Sequence, residues 1–295
     1  MQIFAGSASQ ELGKKIAEGV GQSLGRIELG KFSNGETRIR VLEDKVEPTV
    51  TIVQSLSSPA DENLMEFCLI ADALKRKGAR EIVGVVPWLG YSKQDKVFLP
   101  GEALGAKVVA RILQTTGITK LLTLDLHNRA ILGFFDIPVI ELSAKELLLE
   151  YFRKSVDDKT LVVAPDAGAV KAATQFARDL DAKVVYMDKK RDLVTGEVSV
   201  LGMSRSVEGA NVIVIDDNVF TGATLLALAK TLKQAGAKKI AVGLTHHMYI
   251  EGVQEKIEQS EIDEMVVTDT VEGVGSGKLK VLSVAAMIGQ ELTNS

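Results

Sequence analysis

Residues 210–230, which read ANVIVIDDNVFTGATLLALAK, give the clearest indication of the fold. Residues 212–215 are β-branched and aliphatic, so apolar side chains would point to both faces of a short strand. That pattern is typical of a strand that is covered on both sides. Two aspartates, a short turn with Thr and Gly, and a helical pattern follow at once. The stretch therefore predicts a buried strand that runs through a polar turn into a helix.

The helix that follows Gly222 shows its period clearly. Its apolar residues recur at i, i+3, i+4 and i+7, which predicts one buried face. These residues are Leu225, Leu228, Ala229 and Leu232. Gly236 is predicted to follow the last turn, where a glycine commonly ends a helix in the left-handed conformation.

Similar apolar runs alternate with helical patterns along the whole chain. Repetition of strand, helix and strand is typical of parallel sheets with crossover helices, so the predicted fold class is α/β, with mostly parallel sheets flanked by helices. A helix is predicted over residues 63–77. The predicted strands cover residues 50–53, 82–86, 121–124, 161–164, 184–187, 212–215 and 240–244.

The chain also contains an internal repeat. ADALKRKGAREIVGV resembles LAKTLKQAGAKKIAVGL with Leu74 opposite Leu232, and IFAGSASQELGKKIAEGV resembles VVAPDAGAVKAATQFARDL with Ile3 opposite Val162. Near-constant shifts between separate elements predict two similar α/β domains. We place them at residues 1–145 and 146–295, and the final helix could pack back on the amino-terminal domain.

Composition excludes several classes of protein. The formal net charge of -4 gives no basic footprint for nucleic acid. No apolar run reaches the roughly 18 residues of a membrane helix. The single cysteine cannot form an internal disulfide, which fits a reducing compartment. We therefore expect a cytoplasmic protein with small-molecule partners, and neither nucleic acid nor a membrane among them.

Residues 210–230 also contain groups that could bind a ligand. Ligands of parallel sheets bind beyond the carboxyl ends of strands, where Asp216 and Asp217 are predicted to lie. The turn from Thr221 to Thr224 opens a helix, and its backbone N–H groups and dipole suit a phosphate. Paired carboxylates instead suit sugar hydroxyls or hydrated Mg²⁺. Together these features favour a sugar phosphate, and the alternative is an acidic residue beside an ordinary helix-opening turn.

Seven motifs carry a resemblance to a known family. IVIDDNVFTGATL resembles the phosphoribosyl pyrophosphate-binding loop of type I phosphoribosyltransferase folds. The chain as a whole resembles the ribose-phosphate pyrophosphokinase family, also called phosphoribosyl pyrophosphate synthetases. The other motifs are KFSNGET, NLMEFCLIADALKRKGAREIVGVVPWLGYSKQD, DLHNRAILGFFDIP, APDAGAVKAA, DKKR and VVTDT.

The resemblance implies a reaction and its site residues. ATP and ribose 5-phosphate would give phosphoribosyl pyrophosphate and AMP, as the anomeric hydroxyl attacks the β-phosphorus with Mg²⁺ as cofactor. Lys189 and Arg191 would stabilise the transferring phosphates, and His127 and Asp166 would bind Mg²⁺. The ribose 5-phosphate residues would be Asp216, Asp217, Thr221, Gly222, Ala223 and Thr224. The pyrophosphate loop would be Asp166, Ala167, Gly168 and Ala169.

The resemblance also implies an ATP site between subunits. Phe32 would stack on adenine, and Asn34 and Glu36 would contact polar atoms of the base. Lys93 and Gln94 would also contact ATP. Because the loop that carries Phe32 reaches the ATP of a neighbouring subunit in the family, the resemblance implies a homo-oligomer.

Several positions depart from the family pattern. Phe220 stands where many relatives carry Asp, so a general base is excluded there. Lys93 replaces a usual Arg, Phe98 a usual acid, Ala169 a usual Gly and Ala172 a usual Arg. These changes keep two alternatives open. One is a non-catalytic homologue that binds nucleotide or sugar phosphate and regulates a partner, and the other is a phosphoribosyltransferase.

Overall fold

The computed structural model describes residues 1–166, 168–191 and 198–294, with side chains except those of 188–191 and 198–201. The chain divides into two compact units. The first comprises residues 1–143, 269–272 and 283–295, and the second comprises residues 144–268 and 273–282. The predicted bounds of 1–145 and 146–295 assign whole stretches of chain, whereas the first unit takes in two short carboxy-terminal segments.

Five parallel strands form the sheet of the first unit. In their order across the sheet they are β1 (Gln2–Ala5), β4 (Thr49–Val53), β5 (Glu81–Val86), β6 (Lys120–Leu124) and β7 (Val139–Leu142). A separate antiparallel hairpin joins β2 (Ile27–Lys31) to β3 (Thr37–Val41). The helices of this unit are α1 (Gln10–Gly19), α2 (Ala60–Arg76), α3 (Gly105–Thr115) and the last helix, α8 (Ala285–Asn294), with 3-10 turns at Ser7–Ser9 and Arg129–Phe134.

Seven strands form the sheet of the second unit. Their order is β10 (Val198–Met203), β9 (Lys183–Arg191), β8 (Thr160–Ala164), β11 (Asn211–Val219), β12 (Lys239–His247), β13 (Glu264–Thr268) and β14 (Leu279–Leu282). Among the described residues, only β10 runs antiparallel to its neighbour. The helices are α4 (Lys145–Arg153), α5 (Val170–Asp179), α6 (Ala223–Gln234) and α7 (Val253–Glu258).

The predicted α/β class and the predicted repeat are confirmed. The order β1-β4-β5-β6-β7 of the first unit recurs as β8-β11-β12-β13-β14 in the second. The segments paired by sequence, Ile3 with Val162 and Leu74 with Leu232, lie in corresponding strands and helices. The second sheet adds β9 and β10 at its edge.

The packing of β11 explains why its residues 212–215 are all β-branched and apolar. Val212 and Val214 lie in one buried cluster, whereas Ile213 and Ile215 lie in another. Since successive side chains of a strand point to opposite faces, both faces of this sheet are covered by apolar packing. Each residue of the run is therefore required to be apolar.

Helix α6 ends as predicted. Gly236 has a φ of +89° and donates to the carbonyl of Lys233 at 3.0 Å, while the N–H of Ala237 donates to the carbonyl of Leu232 at 3.0 Å. This pair of bonds satisfies carbonyls that the last turn would leave open. Leu228, Ala229 and Leu232 are buried, as the period predicted, and Leu225 is half-buried.

Several predicted bounds were wrong, and those of α2 and β11 have clear physical reasons. Helix α2 begins at Ala60 and not at residue 63, with Asp61 and Glu62 in its first turn, where negative charge favours a helix. Strand β11 extends to Val219, so Asp216 and Asp217 lie inside the strand and not after it. The reason is its neighbour β12, which pairs with β11 as far as Val219 opposite His247.

Candidate active site

Asp216 and Asp217 lie on the part of β11 that extends past β8. Pairing with β8 stops at Val214 opposite Val163, whereas pairing with β12 continues. Both aspartates are half-buried, and the N–H of Asp217 donates to Oδ1 of Asp216 at 2.9 Å. The strand thus carries two carboxylates beyond its shorter neighbour, at the carboxyl end of the sheet.

Negative charge is concentrated around Asp216. Burial is the largest of the causes that raise the pKa of Asp216 from 3.8 to about 7, and the negative charges of Asp217 and Asp166 contribute to the same rise. A carboxylate that is this costly to ionise gains from hydroxyl donors or from a cation. The structure therefore brings together three of the predicted site residues of the second unit.

The loop that joins β11 to α6 depends on Gly222. Its φ of +72° lies in the left-handed region, which favours glycine, and its carbonyl accepts the first helical bond, from the N–H of Leu226 at 2.8 Å. Thr221, Ala223 and Thr224 are exposed. The backbone nitrogen of Ala223 donates to Oγ1 of Thr221 over 3.5 Å, which is long for a hydrogen bond. The amides of α6 that come before that of Leu226 have no backbone acceptor within the helix, which is the feature that binds anions at helix starts.

Asp166 belongs to the loop that opens α5. Its Oδ1 accepts a hydrogen bond from the N–H of Ala169 at 3.1 Å, and its side chain is exposed. A Cβ on Gly168 would lie 3.2 Å from the same oxygen, so the loop is tight there. Ala167 lies outside the described residues.

The predicted strand 184–187 places the DKKR motif after its end. In the structure, strand β9 continues through Arg191, so Lys189 and Arg191 lie on the strand. Their backbones pair with β10, Lys189 opposite Val200 and Arg191 opposite Val198. Their side chains lie outside what the structure describes. Their role on the transferring phosphates stays a prediction.

The tip of the β2–β3 hairpin carries the residues predicted to bind adenine. Gly35 has a φ of +90°, and the turn is closed by the N–H of Phe32 on the carbonyl of Glu36 at 2.8 Å. The Asn34 side chain accepts from the N–H of Glu36 at 3.2 Å. Phe32 is 53% exposed, with the Arg38 guanidinium 5.9 Å from its ring centroid. An exposed aromatic face is thus held on a well-bonded turn.

Lys93 and His127 are in contact in the first unit. The ammonium nitrogen of Lys93 lies 3.0 Å from Nδ1 of His127, and both side chains are exposed. Gln94 packs against the start of α3, where a Cβ on Gly105 would lie 2.5 Å from its Oε1. The structure therefore joins a predicted ATP contact to a predicted metal ligand.

Three residues that sequence reasoning did not single out position the His127 loop. Asn128 donates to Asp95 at 2.5 Å. Glu141 accepts from the N–H of Leu126 at 3.0 Å and pairs with Arg129 at 2.7 Å. Asp95 and Asn128 stand inside quoted motifs, but nothing in the sequence pointed to Glu141.

The last residues of β11 and β12 include buried polar atoms that make no hydrogen bond to the described protein. His247 is fully buried, its Nδ1 accepts from the N–H of Tyr249 at 2.9 Å, and its Nε2 has no partner there. Nδ2 of Asn218 is in the same situation. Burial lowers the pKa of His247 to about 4, so the ring is neutral at neutral pH.

The structure describes the surroundings of two residues that depart from the family pattern, Phe220 and Phe98. Phe220 is half-buried between the aspartates and the loop. Phe98 is 75% exposed, and its N–H and that of Leu99 both donate to Glu102, at 2.8 and 2.9 Å. Neither position offers an acidic side chain, so any proton transfer must rely on other groups.

Within residues 1–166, 168–191 and 198–294, no group of three or more His, Cys, Asp and Glu side chains is arranged to hold a metal ion. His127 lies in the first unit and Asp166 in the second. Their pairing as metal ligands stays a prediction.

The fold and the site together define a class. In the second unit, strand β11 carries paired aspartates and leads into a Thr-Gly loop. Residues 133–276 match a family model described as the phosphoribosyl transferase domain. The second unit is therefore of the phosphoribosyltransferase type. A second model, the N-terminal domain of ribose phosphate pyrophosphokinase, matches residues 1–117.

Full-length relatives narrow the class. A ribose-phosphate pyrophosphokinase of Ralstonia nicotianae is 37% identical over 99% of this chain and 94% of its own length. That of Thermotoga maritima is 38% identical with the same coverage. The crystal structure of phosphoribosylpyrophosphate synthetase from Mycobacterium smegmatis superposes with a TM-score of 0.91, at 30% identity over 99% of this chain and 97% of that one. The chain belongs to the ribose-phosphate pyrophosphokinase family.

No helix in the described part of the chain combines the length and the apolar character that crossing a bilayer requires.

Proposed function

We propose that the protein transfers the pyrophosphoryl group of ATP to the anomeric hydroxyl of ribose 5-phosphate, giving phosphoribosyl pyrophosphate and AMP. One observation carries the proposal. Paired carboxylates on β11 lead directly into a loop whose glycine, at a φ of +72°, presents the start of α6. Membership of the family supports the same reaction.

Ribose 5-phosphate is proposed to bind along this segment of the second unit. Its phosphate would accept from the opening amides of α6 and from the hydroxyls of Thr221 and Thr224, which are exposed. Its ring hydroxyls would donate to Asp216 and Asp217, because an ionised carboxylate only accepts hydrogen bonds. One end of the site thus suits negative charge and the other suits hydroxyl donors.

ATP is proposed to bind to residues of the first unit. The exposed ring of Phe32 would stack on the adenine, and the hairpin turn would place Asn34 and Glu36 beside its polar edge. Lys93 is an exposed cation that suits a phosphate oxygen, and Gln94 stands next to it.

The chemistry needs charge stabilisation more than a base. The anomeric oxygen attacks the β-phosphorus, the bond from that phosphorus to the oxygen shared with the α-phosphate breaks, AMP leaves, and the hydroxyl proton passes to solvent. Phosphoryl-type transfer depends chiefly on positioning and on neutralising the phosphate oxygens. Lys189 and Arg191 are proposed to supply that neutralisation, and Phe220 cannot act as a base.

A divalent cation fits the charge of this site. Burial and two neighbouring carboxylates hold the pKa of Asp216 at about 7, and a cation would relieve that repulsion. Carboxylate oxygens such as those of Asp166 are ligands that Mg²⁺ prefers. When bound by Asp166 and His127, Mg²⁺ would neutralise phosphate charge on ATP. We propose it as the cofactor of the enzyme.

We further propose a cytoplasmic homo-oligomer in which the β2–β3 hairpin of one protomer completes the ATP site of another. The exposure of Phe32 at the hairpin tip supports this assignment. Light scattering after size-exclusion chromatography tests it, and a monomer at micromolar concentration that turns over normally would refute it.

The reaction is tested by supplying ATP, Mg²⁺ and ribose 5-phosphate and following AMP and phosphoribosyl pyrophosphate. We expect the two products in equal amounts. Asp217→Asn keeps the side-chain shape and removes the charge, so it should lower the rate. A protein that is folded by circular dichroism but forms neither product would refute the proposal.

Lys189→Ala is the sharpest variant for the transfer step. Because the charge of Lys189 would act on the transferring group, turnover should fall by about 100-fold or more, with little change in the affinity for ribose 5-phosphate. Steady-state kinetics separates the two effects. If only the KM for ribose 5-phosphate rose, the role of Lys189 would be wrongly assigned.

Two positions favour a second candidate, a non-catalytic homologue that binds the same ligands. Phe220 and Phe98 stand where the family pattern has acids. Calorimetric binding of ribose 5-phosphate or ATP without turnover would favour this candidate, and measurable turnover would exclude it.

A further inference from the structure

The contact between Lys93 and His127 has a defined chemistry. An ammonium group carries donors and no acceptor, so at 3.0 Å Lys93 donates to the lone pair of Nδ1 on His127. The other ring nitrogen, Nε2, therefore carries the proton of the neutral imidazole. The loop around His127 is anchored by the Asn128 side chain, which donates to Asp95 at 2.5 Å, and by the N–H of Leu126, which donates to Glu141 at 3.0 Å, while the side chains of Lys93 and His127 are exposed.

This contact competes with metal binding at either ring nitrogen. A metal ion binds an unprotonated nitrogen, and Nδ1 is already occupied by Lys93. Binding through Nε2 would move the proton to Nδ1, where it would face the N–H of the ammonium group. In both cases the side chain of Lys93 must leave, and a divalent cation beside it would add like-charge repulsion.

We propose that Lys93 blocks His127 from metal until the phosphates of a nucleotide draw the ammonium group away. The inference rests on the proposed function, which makes Lys93 a nucleotide contact and His127 a metal ligand. A phosphate oxygen is a stronger acceptor for an ammonium group than an imidazole nitrogen, because it is charged. Nucleotide and metal therefore bind together, and metal alone binds weakly.

The test measures Mn²⁺ binding, from the electron paramagnetic resonance signal of free Mn²⁺, without any turnover. In the absence of nucleotide, Lys93→Met should bind Mn²⁺ roughly two- to fivefold more tightly than the wild type, the range expected for an exposed charged contact. Lys96→Met is the matched control, since Lys96 is an exposed lysine three residues away, and its affinity should equal that of the wild type. Equal gains in both variants would reduce the effect to general charge and overturn the proposal.

Two further measurements assign the effect to His127. Lys93→Met combined with His127→Gln should lose the gain. Adding α,β-methylene ATP, which cannot transfer its pyrophosphoryl group, should tighten Mn²⁺ binding more in the wild type than in Lys93→Met. Equal tightening in both proteins would contradict the proposal.

Nuclear magnetic resonance of the imidazole nitrogens gives an independent readout. The wild type should show His127 with its proton on Nε2, and Lys93→Met should shift the Nδ1 resonance. An unchanged Nδ1 resonance would show that Lys93 does not donate there. Failure of the product assay would refute the proposed function without altering these results, because none of them depends on turnover.

Discussion

Asp216 is the central residue of the candidate site. Its carboxyl is half-buried, next to Asp217 and within electrostatic reach of Asp166, and these surroundings raise its pKa to about 7. A buried carboxyl group whose pKa is raised to near neutrality is typical of functional sites. The sequence identified the aspartate. Its burial depends on how far β11 extends past β8, and the local sequence does not predict that length.

The affinity for ribose 5-phosphate should therefore depend on pH. As pH rises from 6 to 8, Asp216 passes from the protonated to the ionised form, which accepts hydroxyl hydrogen bonds better. In the absence of metal, calorimetry should show tighter binding by roughly threefold to tenfold. The phosphate of the ligand also titrates near pH 6, so Asp216→Asn is the control that shares this effect. An identical pH profile in the variant would contradict the role of Asp216.

His247 makes a separate prediction about stability. The pKa of His247 is about 4 in the folded protein against 6.5 in the unfolded chain, so acid favours unfolding. Above pH 6.5, His247 causes no loss of stability. As pH falls from 6.5 towards 4, protonation of this residue in the unfolded chain lowers the free energy of unfolding by at most about 3 kcal/mol. Denaturant titrations of His247→Leu should lack this loss, and His127→Gln, which changes an exposed histidine, should retain it. An equal acid-induced loss in both variants would rule out His247 as its origin.

Among the elements, the loop from β11 to α6 shows what sequence can predict. The Thr-Gly turn and the period of α6 were readable, because each depends on neighbours in the chain. The length of β11 was not, because its last residues are held by β12 through pairs such as Asn218 with His246. Side-chain positions around His127 likewise depend on distant partners such as Glu141.

Gly222→Ala tests the geometry of that loop. The substitution places an L residue at a φ of +72°, which costs about 1–2 kcal/mol, whereas the new Cβ would meet Val253 at an ordinary 3.6 Å. We expect lower stability and weaker binding of ribose 5-phosphate, because the loop amides would shift. Gly19→Ala is the control, in open space at the end of α1, and should be neutral or slightly stabilising. Unchanged affinity in Gly222→Ala would mean that the loop amides do not bind the phosphate.

At the scale of the whole molecule, the chain is a repeat in which the two halves have diverged. Gln54 follows β4 in the first unit, at the place corresponding to the aspartates of β11. Its side chain accepts from the N–H of Ala8 at 3.1 Å and donates to Glu66 at 2.8 Å. A Cβ on Gly6 would lie 2.4 Å from its Oε1. At the place where the second unit is proposed to bind its ligand, the first unit therefore has a side chain bonded within the protein.

The last helix stabilises the first unit. Helix α8 packs on α1, and Ile288 on α8 is fully buried. Ile288→Ala should destabilise that unit by about 2–5 kcal/mol. Hydrogen exchange should show faster exchange in α1 than in the wild type and unchanged exchange in α6. Gln290→Ala, an exposed change on the same helix, is the control, and equal effects of the two variants would show that α8 is not part of this core.

The α/β class was predictable from the apolar periodicity of the sequence, and the repeat was predictable from similar segments at a near-constant spacing. The discontinuous first unit was not, since residues 269–272, between the last two strands of the second sheet, and residues 283–295, after that sheet, belong to it through contacts distant in sequence. Pairing of β2 with β3 was also missed, as their half-exposed residues lack an apolar run.

A crystal structure with ribose 5-phosphate bound is the most direct test of where the pentose lies. We expect the phosphate at the opening amides of α6 and the ring hydroxyls on Asp216 and Asp217. A structure with the pentose bound elsewhere and residues 216–224 free of ligand would contradict the assignment of the site.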